Sequence, residues 1–330
     1  MTTLFLPYKA LGIVIDRNPF SINILGQDIF VTASIYNSFQ IYRKENLNCC
    51  LVSETLTGRI SCLVSVGLET YVAVENIIHV FHRTKIVRSY DFQNIKFIGM
   101  ISIGDFLICY DDSIQIYVID IKGREVHSKL QLLECSSSIS TIIHPSTYVN
   151  KILIGYTNAK LELWNIKTKK LIYTFLSHIE ALKYYSKYES VAHSIDCMKQ
   201  SPAESIVALG FASGDILLIN LKLDRVLFSF KQSSGSVTSL TFRTDLTAEA
   251  YPYLVSSSTE GQIYIWNLGN YDNQPQGGGG GGDEDDDLES LSIKDSSSKN
   301  KLFHVIEDAH ASSVTRVEFC NNIIFFHIYL

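Results

Sequence analysis

Three observations in the sequence predict an all-β fold built from repeated antiparallel sheets. First, a short phrase recurs in which a turn-forming pair precedes alternating apolar residues and an aromatic or apolar end. It reads Asn37-Ser-Phe-Gln-Ile-Tyr42, Asn76-Ile-Ile-His-Val-Phe81, Asp112-Ser-Ile-Gln-Ile-Tyr117, Asn158-Ala-Lys-Leu-Glu-Leu-Trp164, Ser213-Gly-Asp-Ile-Leu-Leu-Ile219 and Glu260-Gly-Gln-Ile-Tyr-Ile-Trp266. Second, its copies end 36 to 55 residues apart, the spacing of WD repeats once insertions are allowed for. Third, a further repeat opens at Ala309-His310 and stops short. The fold class that follows is a WD40-type β-propeller of about seven blades, the last one incomplete.

The physics of the phrase is that of a strand. Period-two alternation rich in Ile, Leu, Tyr and Trp sends every second side chain into a core, and the Asn, Asp, Ser and Gly residues ahead of it supply the turn. A single hairpin cannot shield its apolar face. Blades packed side by side bury each face against the next and leave short edges.

The elements follow in order. Residues 4 to 15 read as an extended lead-in able to complete the last blade, and the first repeat runs from there to about residue 43. The second and third repeats, ending near 82 and 118, are compact. The fourth contains Ser140 to Ile154, two strands about a turn with Pro145. The fifth carries an insertion, roughly Ser177 to Ser194, in which Ile179, Leu182 and Tyr185 would line one side of a short helix; a longer surface loop is the equal alternative.

Between Leu268 and Leu302 the composition changes to Gly277 through Gly282, an acidic run and a Ser-rich stretch. Such a segment buries too little apolar area to offset its ordering entropy, so residues 270–301 are expected to be a disordered insertion in one propeller domain spanning 1–330. Its polyglycine formally satisfies G-x-G-x-x-G, but it lacks the flanking strand and helix of a nucleotide site and is followed by acids that repel phosphate. The seventh repeat then gives Ser313-Val-Thr-Arg-Val-Glu-Phe319 and Asn321 to Leu330, with no further copy of the phrase. Either the lead-in strand compensates, or the chain is part of something longer.

Composition and charge narrow the function classes. With 46% hydrophobic and 19% charged residues, 330 residues suffice for a large core. The formal net charge of −6 is misleading, because residues 283–289 alone hold six acids and the remainder is neutral. A wholly basic nucleic-acid surface is therefore not expected. Seven cysteines without a Cys-x-x-Cys pair, most in apolar surroundings such as that of Cys109, read as small core residues of a reducing compartment. Neither a secretory leader nor a stretch of about 18 apolar residues is present, so an intracellular protein without a membrane span is expected.

Residues 144 to 175 carry a more specific signal. His144-Pro-Ser-Thr-Tyr-Val-Asn-Lys-Ile-Leu-Ile-Gly155 and Leu161-Glu-Leu-Trp-Asn-Ile-Lys-Thr-Lys-Lys-Leu-Ile-Tyr-Thr-Phe175 closely resemble the WD-repeat subunit of the UtpB part of the small-subunit processome, in the U3 snoRNA-associated protein family. Pro7 to Gly12, Phe30-Val-Thr with Ser38 to Tyr42, and Ser239 to Asp245 resemble the same family in the same order. The resemblance implies a nucleolar scaffold that assembles the early small-ribosomal-subunit precursor and serves the processing of its rRNA. It implies as partners the other UtpB proteins, with U3 snoRNA and pre-rRNA in the same complex, and no cofactor, membrane or small-molecule substrate. Family members look like two tandem propellers and a helical C-terminal domain, of which this chain would supply the first propeller. The polyglycine-acidic insertion has no counterpart in that pattern.

Four residues stand out as candidate partner contacts: His144, Tyr148, Arg243 and Asp245, in equivalent turns between the two middle strands of repeats four and six. Exposed polar and aromatic residues there would face a partner; the competing reading is that Pro145 and Ser146 serve the turn and Arg243 pairs with Asp245. His79 and His82 lie three apart on a strand, on opposite faces, which precludes a shared metal. His310 reads as part of a blade-edge hydrogen-bond network, and Lys167, Lys169 and Lys170 as a solvated hairpin tip with too little clustered charge for RNA. No Gly-x-Ser-x-Gly, His-Glu-x-x-His or Gly-Lys-Ser/Thr signature appears, so no catalytic, cofactor or metal residues are assigned. Against the processome scaffold stand a WD-repeat adaptor elsewhere, such as a ubiquitin-ligase substrate receptor or trafficking coat, and a propeller hydrolase.

Overall fold

The computed structural model describes residues 19–111, 115–131, 137–146, 148–185, 194–202, 205–243, 253–268, 302–320 and 323–328. The expectations for residues 4–15 and 270–301 and for Asp245 fall outside them. Six four-stranded antiparallel sheets follow one another along the chain, each a meander in which successive strands pair. The first holds β1 (Phe20–Leu25), β2 (Asp28–Ser34), β3 (Phe39–Arg43) and β4 (Asn48–Val52); the second β5 (Ile60–Val66), β6 (Glu69–Val74), β7 (Ile77–His82) and β8 (Lys85–Asp91). The third holds β9 (Phe97–Ile103), β10 (Phe106–Asp111), β11 (Gln115–Asp120) and β12 (Glu125–Gln131). The fourth comprises β13 (Ile139–Ile143), β14 (Lys151–Tyr156), β15 (Leu161–Asn165) and β16 (Lys170–Phe175), and is followed by the helix α1 (Ser177–Tyr185). The fifth comprises β17 (Ile195–Gln200), β18 (Ile206–Phe211), β19 (Asp215–Asn220) and β20 (Arg225–Lys231), and the sixth β21 (Val237–Phe242), β22 (Tyr253–Ser258), β23 (Ile263–Asn267) and β24 (Leu302–Ile306). A two-stranded seventh sheet, β25 (Val314–Cys320) with β26 (Ile323–Ile328), matches the unfinished last repeat.

Each copy of the recurring phrase forms the third strand of its sheet. Repeat and sheet are therefore offset by one strand, since a repeat begins with the fourth strand of the preceding sheet. This corrects the placing of the candidate turns. Counted along a repeat they join the middle strands, but in the sheets they join the first and second.

The chain divides into two compact units, residues 1–144 with 166–169 and 328–330, and residues 145–165 with 170–327. In the first, the core lies between neighbouring sheets. Val72 and Val74 of β6 pack with Phe39, Ile60 and Phe81, while Tyr71 and Ala73 of the same strand pack with Phe97, Leu107 and Tyr117. A strand whose two faces serve two interfaces reads as a continuous buried run, as the pattern from Tyr71 to Val74 does. Burial of one such aliphatic side chain contributes about 1.5–3 kcal/mol. In the second unit Ala208, Ile216, Leu218 and Phe230 pack in the same way with Leu240, Leu254, Tyr264 and Trp266.

The fourth strands are different. In all six four-stranded sheets the pairing of third and fourth strands slips by one residue, leaving Cys50, Val87, His127, Ile172, Leu227 and Phe303 as the extra residues. A bulge twists an edge strand and spoils it as a template for further pairing. The same edge overturns part of the cysteine expectation. Cys62 and Cys109 are buried, but Cys49 and Cys50 are exposed on β4, because a fourth strand has no outer neighbour to cover it.

The insertion of the fifth repeat does form a helix. Asp224, in the turn between β19 and β20, accepts hydrogen bonds from the Leu176 and Ser177 amides (3.2 and 3.3 Å) and from the Tyr173 hydroxyl (3.0 Å), so a carboxylate from another sheet caps α1. Buried His178 meets the Ala159 carbonyl at 2.6 Å through Nε2, which fixes Nε2 as the donor; burial lowers its pKa and keeps the ring neutral. Leu182 completes the buried side of the helix. Burial pushes the Asp224 carboxyl up, but the nearby Ser177 hydroxyl, whose geometry falls short of a full hydrogen bond, and the three donors above outweigh it, leaving the group below the ordinary 3.8. Replacing Asp224 by alanine is expected to cost about 1 kcal/mol at neutral pH. A depressed folded-state pKa gives stability above the unfolded pKa and loses it as pH falls through the folded one, so the gap between parent and variant narrows below about pH 4. Urea titrations across that range provide the measurement.

The unfinished seventh sheet is tied to the sixth by hydroxyls. Thr238 donates to the Val314 carbonyl, Ser239 Oγ reaches the Val317 carbonyl at 3.3 Å, and the Phe319 amide donates to Thr241 Oγ1 at 3.0 Å. Backbone groups of β25, the first strand of its sheet, thus find side-chain partners on β21, as the Ser65 amide of β5 does in Ser21 Oγ of β1 at 3.1 Å.

Candidate interaction surface

An antiparallel meander places its first–second and third–fourth turns at one end and its second–third turns at the other. Lys122, in the turn after β11, pairs with Asp105, in the turn after β9, at 2.8 Å, and the Arg83 amide bonds the Leu68 carbonyl at 3.0 Å. Both contacts join a third–fourth turn to a first–second turn. The candidate residues lie at this end of their sheets.

Their surroundings differ. His144 follows β13 and is half-buried, in the first unit. In the second unit Pro145 is buried and its carbonyl accepts the Tyr148 amide at 3.0 Å, so the proline takes part in the turn. Half-buried Tyr148 has the Lys151 ammonium 4.6 Å from its ring centroid, a cation–π contact that orients the ring, while neighbouring Val149 is 80% exposed. Arg243 closes its own turn by donating its amide to the Tyr253 carbonyl at 3.0 Å. Tyr148 thus gains Lys151 as a neighbour that sequence reasoning did not supply.

The histidines fit their strand positions. Pairing of β7 with β6 runs unbroken from Ile77 to His82, which sets His79 and His82 on opposite faces. His79 Nδ1 lies 2.9 Å from Ser89 Oγ, and burial lowers its pKa. His310 Nδ1 accepts the Ser312 amide at 3.0 Å and its own amide donates to the Gly261 carbonyl, the blade-edge network expected of it.

Two clefts open in the first unit. The larger, about 1280 Å3, lies at the end of its own sheets that carries the second–third turns and is bordered by Tyr36, Arg59, Asn76, Asn94 and Lys96, with Glu75 its one carboxylate among the described residues. Thr57 and Ser61 place hydroxyls in the same lining, but neither a histidine nor a second carboxylate stands beside Glu75 among the described lining residues. The smaller, about 270 Å3, is lined by Glu69, His82, Val87, Arg88 and Arg124. Arg88 Nη2 pairs with Glu69 Oε1 at 3.0 Å, and Tyr71 donates its hydroxyl to Glu69 Oε2 at 2.6 Å. Burial, then the Glu69 carboxylate, raises the Tyr71 phenol well above its ordinary range. Sequence reasoning missed this cleft, whose only linear signal is the recurrence of cations just after the phrase: Arg83 and Lys85, Lys122 and Arg124, Lys167, Lys169 and Lys170.

Among the described residues no three His, Cys, Asp or Glu side chains could hold a metal ion, and no helix is long and apolar enough to cross a membrane. Consecutive four-stranded meanders, each with a third strand that ends on an aromatic or apolar residue of the recurring phrase, define a WD-repeat β-propeller. Residues 31–279 match the family described as the WDR36/Utp21 first β-propeller, and the chain belongs to that family.

Two relatives illustrate the match. WD repeat-containing protein 36 of Homo sapiens is 30% identical over 270 residues, covering 81% of this chain and 28% of the human protein. The U3 small nucleolar RNA-associated protein 21 homolog of Schizosaccharomyces pombe is 29% identical over 326 residues, covering 96% of this chain and 31% of its own. The chain thus spans less than a third of the length of either relative.

Proposed function

We propose that this propeller is a non-catalytic scaffold of the small-subunit processome, acting in the nucleolus during assembly of the small ribosomal subunit and processing of its rRNA. The observation that carries this reading is membership of the WDR36/Utp21 first-propeller family over residues 31–279, alongside a relative named for its association with U3 small nucleolar RNA. The geometry supports a holding role. Bulged fourth strands leave the turns at the sheet ends as the surfaces open to partners, and neither cleft gathers a catalytic set. Partners in this reading are the other UtpB proteins, with U3 snoRNA and pre-rRNA present in the same particle; His144, Tyr148, Arg243 and Asp245 are proposed contacts. Affinity purification through a tagged chain is expected to recover U3 snoRNA together with UtpB subunits. Recovery of a ubiquitin ligase or coat complex in their place would overturn it.

A further inference from the structure

We infer that the third–fourth turns of the first unit bind the phosphate backbone of RNA directly, through Arg83, Lys85 and Arg124 around the small cleft. Arg83 stands in the turn between β7 and β8, next to the cleft-lining His82, Lys85 opens β8, and Arg124, which itself lines the cleft, stands in the turn between β11 and β12. All three are exposed, and none has a side-chain acceptor among the described residues. The cleft shows that the two turns converge, since His82 and Arg88 from one sheet and Arg124 from the next line the same 270 Å3. Its one carboxylate among the described residues, Glu69, is already engaged by Arg88 and Tyr71, so Arg83, Lys85 and Arg124 are left to an external anion.

The arrangement favours a phosphate chain over an acidic peptide for two reasons. Guanidinium forks at successive turns can engage successive phosphates by side chains alone. An extended peptide would gain most by adding a strand, and the slipped pairing of β8 and β12 with their neighbours spoils that edge. The near-neutral propeller body hides this patch from any sequence-wide charge count, because acids elsewhere cancel it. The inference rests on the preceding reading that the chain works inside an RNA-containing particle, and it names a contact within that particle.

The test uses the 330-residue chain and a fluorescent single-stranded uridine oligomer, with anisotropy followed from about 50 to about 200 mM KCl. Changing Arg83, Lys85 and Arg124 together to glutamine is expected to weaken binding about tenfold or more at the lower salt and to flatten the log–log salt slope by about 2, near 0.7 per lost phosphate contact. Lys96→Gln, at the other end of the sheets, is the single-charge control, set against Arg83→Gln, Lys85→Gln and Arg124→Gln made singly, and should leave binding unchanged; unchanged melting curves certify the fold of all variants. Equal weakening by Lys96→Gln, an unaltered slope in the triple variant, or preferential binding of polyglutamate by the same three residues would each overturn the inference. If the oligomer does not bind while U3 snoRNA is still recovered through the tagged chain, this contact falls and the scaffold reading stands. Tight oligomer binding by a chain that recovers no U3 snoRNA has the reverse consequence.

Discussion

Gly261→Ala is expected to destabilise the second unit by about 3 kcal/mol or more, a loss larger than most single substitutions produce. Two causes add. Gly261, in the turn between β22 and β23, has φ of +80°, where an L side chain is strained. A Cβ built there would also stand 2.0 Å from the His310 carbonyl oxygen and 2.8 Å from that of Ser312. Both are backbone atoms, so no rotamer change relieves the clash. The segment leading into β25 would have to move, taking with it the His310 amide bond to the Gly261 carbonyl. Gly67 and Gly104 separate the two causes: each has positive φ (+59° and +54°) and nothing within 4 Å of an added Cβ. Alanine at either should cost only about 1 kcal/mol, the conformational part alone. Denaturant melts of the three variants decide the matter, and equal losses at all three would show that the contact with residues 310 to 312 is not rigid.

What the sequence disclosed follows from how far each feature reaches along the chain. Third strands were legible because alternation is local, and the structure adds why their aromatic ends recur. Residues two apart share a face, so Tyr117 donates to Gln115 at 2.6 Å and Trp164 to Glu162 at 2.8 Å, with Tyr42 and Gln40 paired likewise. The bulges were not legible, since Val87 or Ile172 as an extra residue is as apolar as its neighbours and alternation carries no mark of a one-residue slip. Helix and loop could not be told apart over Ser177–Tyr185 because the deciding groups, Asp224 and the Ala159 carbonyl, lie 47 and 19 residues from their partners. The cleft was hidden for the same reason: His82 and Arg124 meet only when two sheets pack. The candidate turns were found, but not the Lys151 ammonium that holds Tyr148.

Glu162→Ala is the second large effect, expected to cost about 2–3 kcal/mol, chiefly from the hydrogen-bond donors it leaves without their acceptor. Glu162 lies on the third strand of the fourth sheet, and its side chain is 1% exposed. One oxygen, Oε2, accepts both the Tyr156 hydroxyl and the Trp164 indole N–H at 2.8 Å, while Oε1 pairs with Lys160 at 2.5 Å. Alanine would take the Glu162 acceptor from the buried Tyr156 hydroxyl and the half-buried Trp164 N–H and open a cavity, whereas the loss at Lys160, 34% exposed, is softened by solvent. Glu162→Gln isolates the charge. The glutamine carbonyl can still accept from Tyr156 and Trp164, whereas its amide group must face the Lys160 donor; the loss should fall clearly below that of alanine. Adding Lys160→Met to Glu162→Gln removes that opposition and should recover part of the loss. Equilibrium unfolding of these variants would read the order directly, and a glutamine variant as damaged as alanine would mean that the ion pair, not the two aromatic donors, dominates the site.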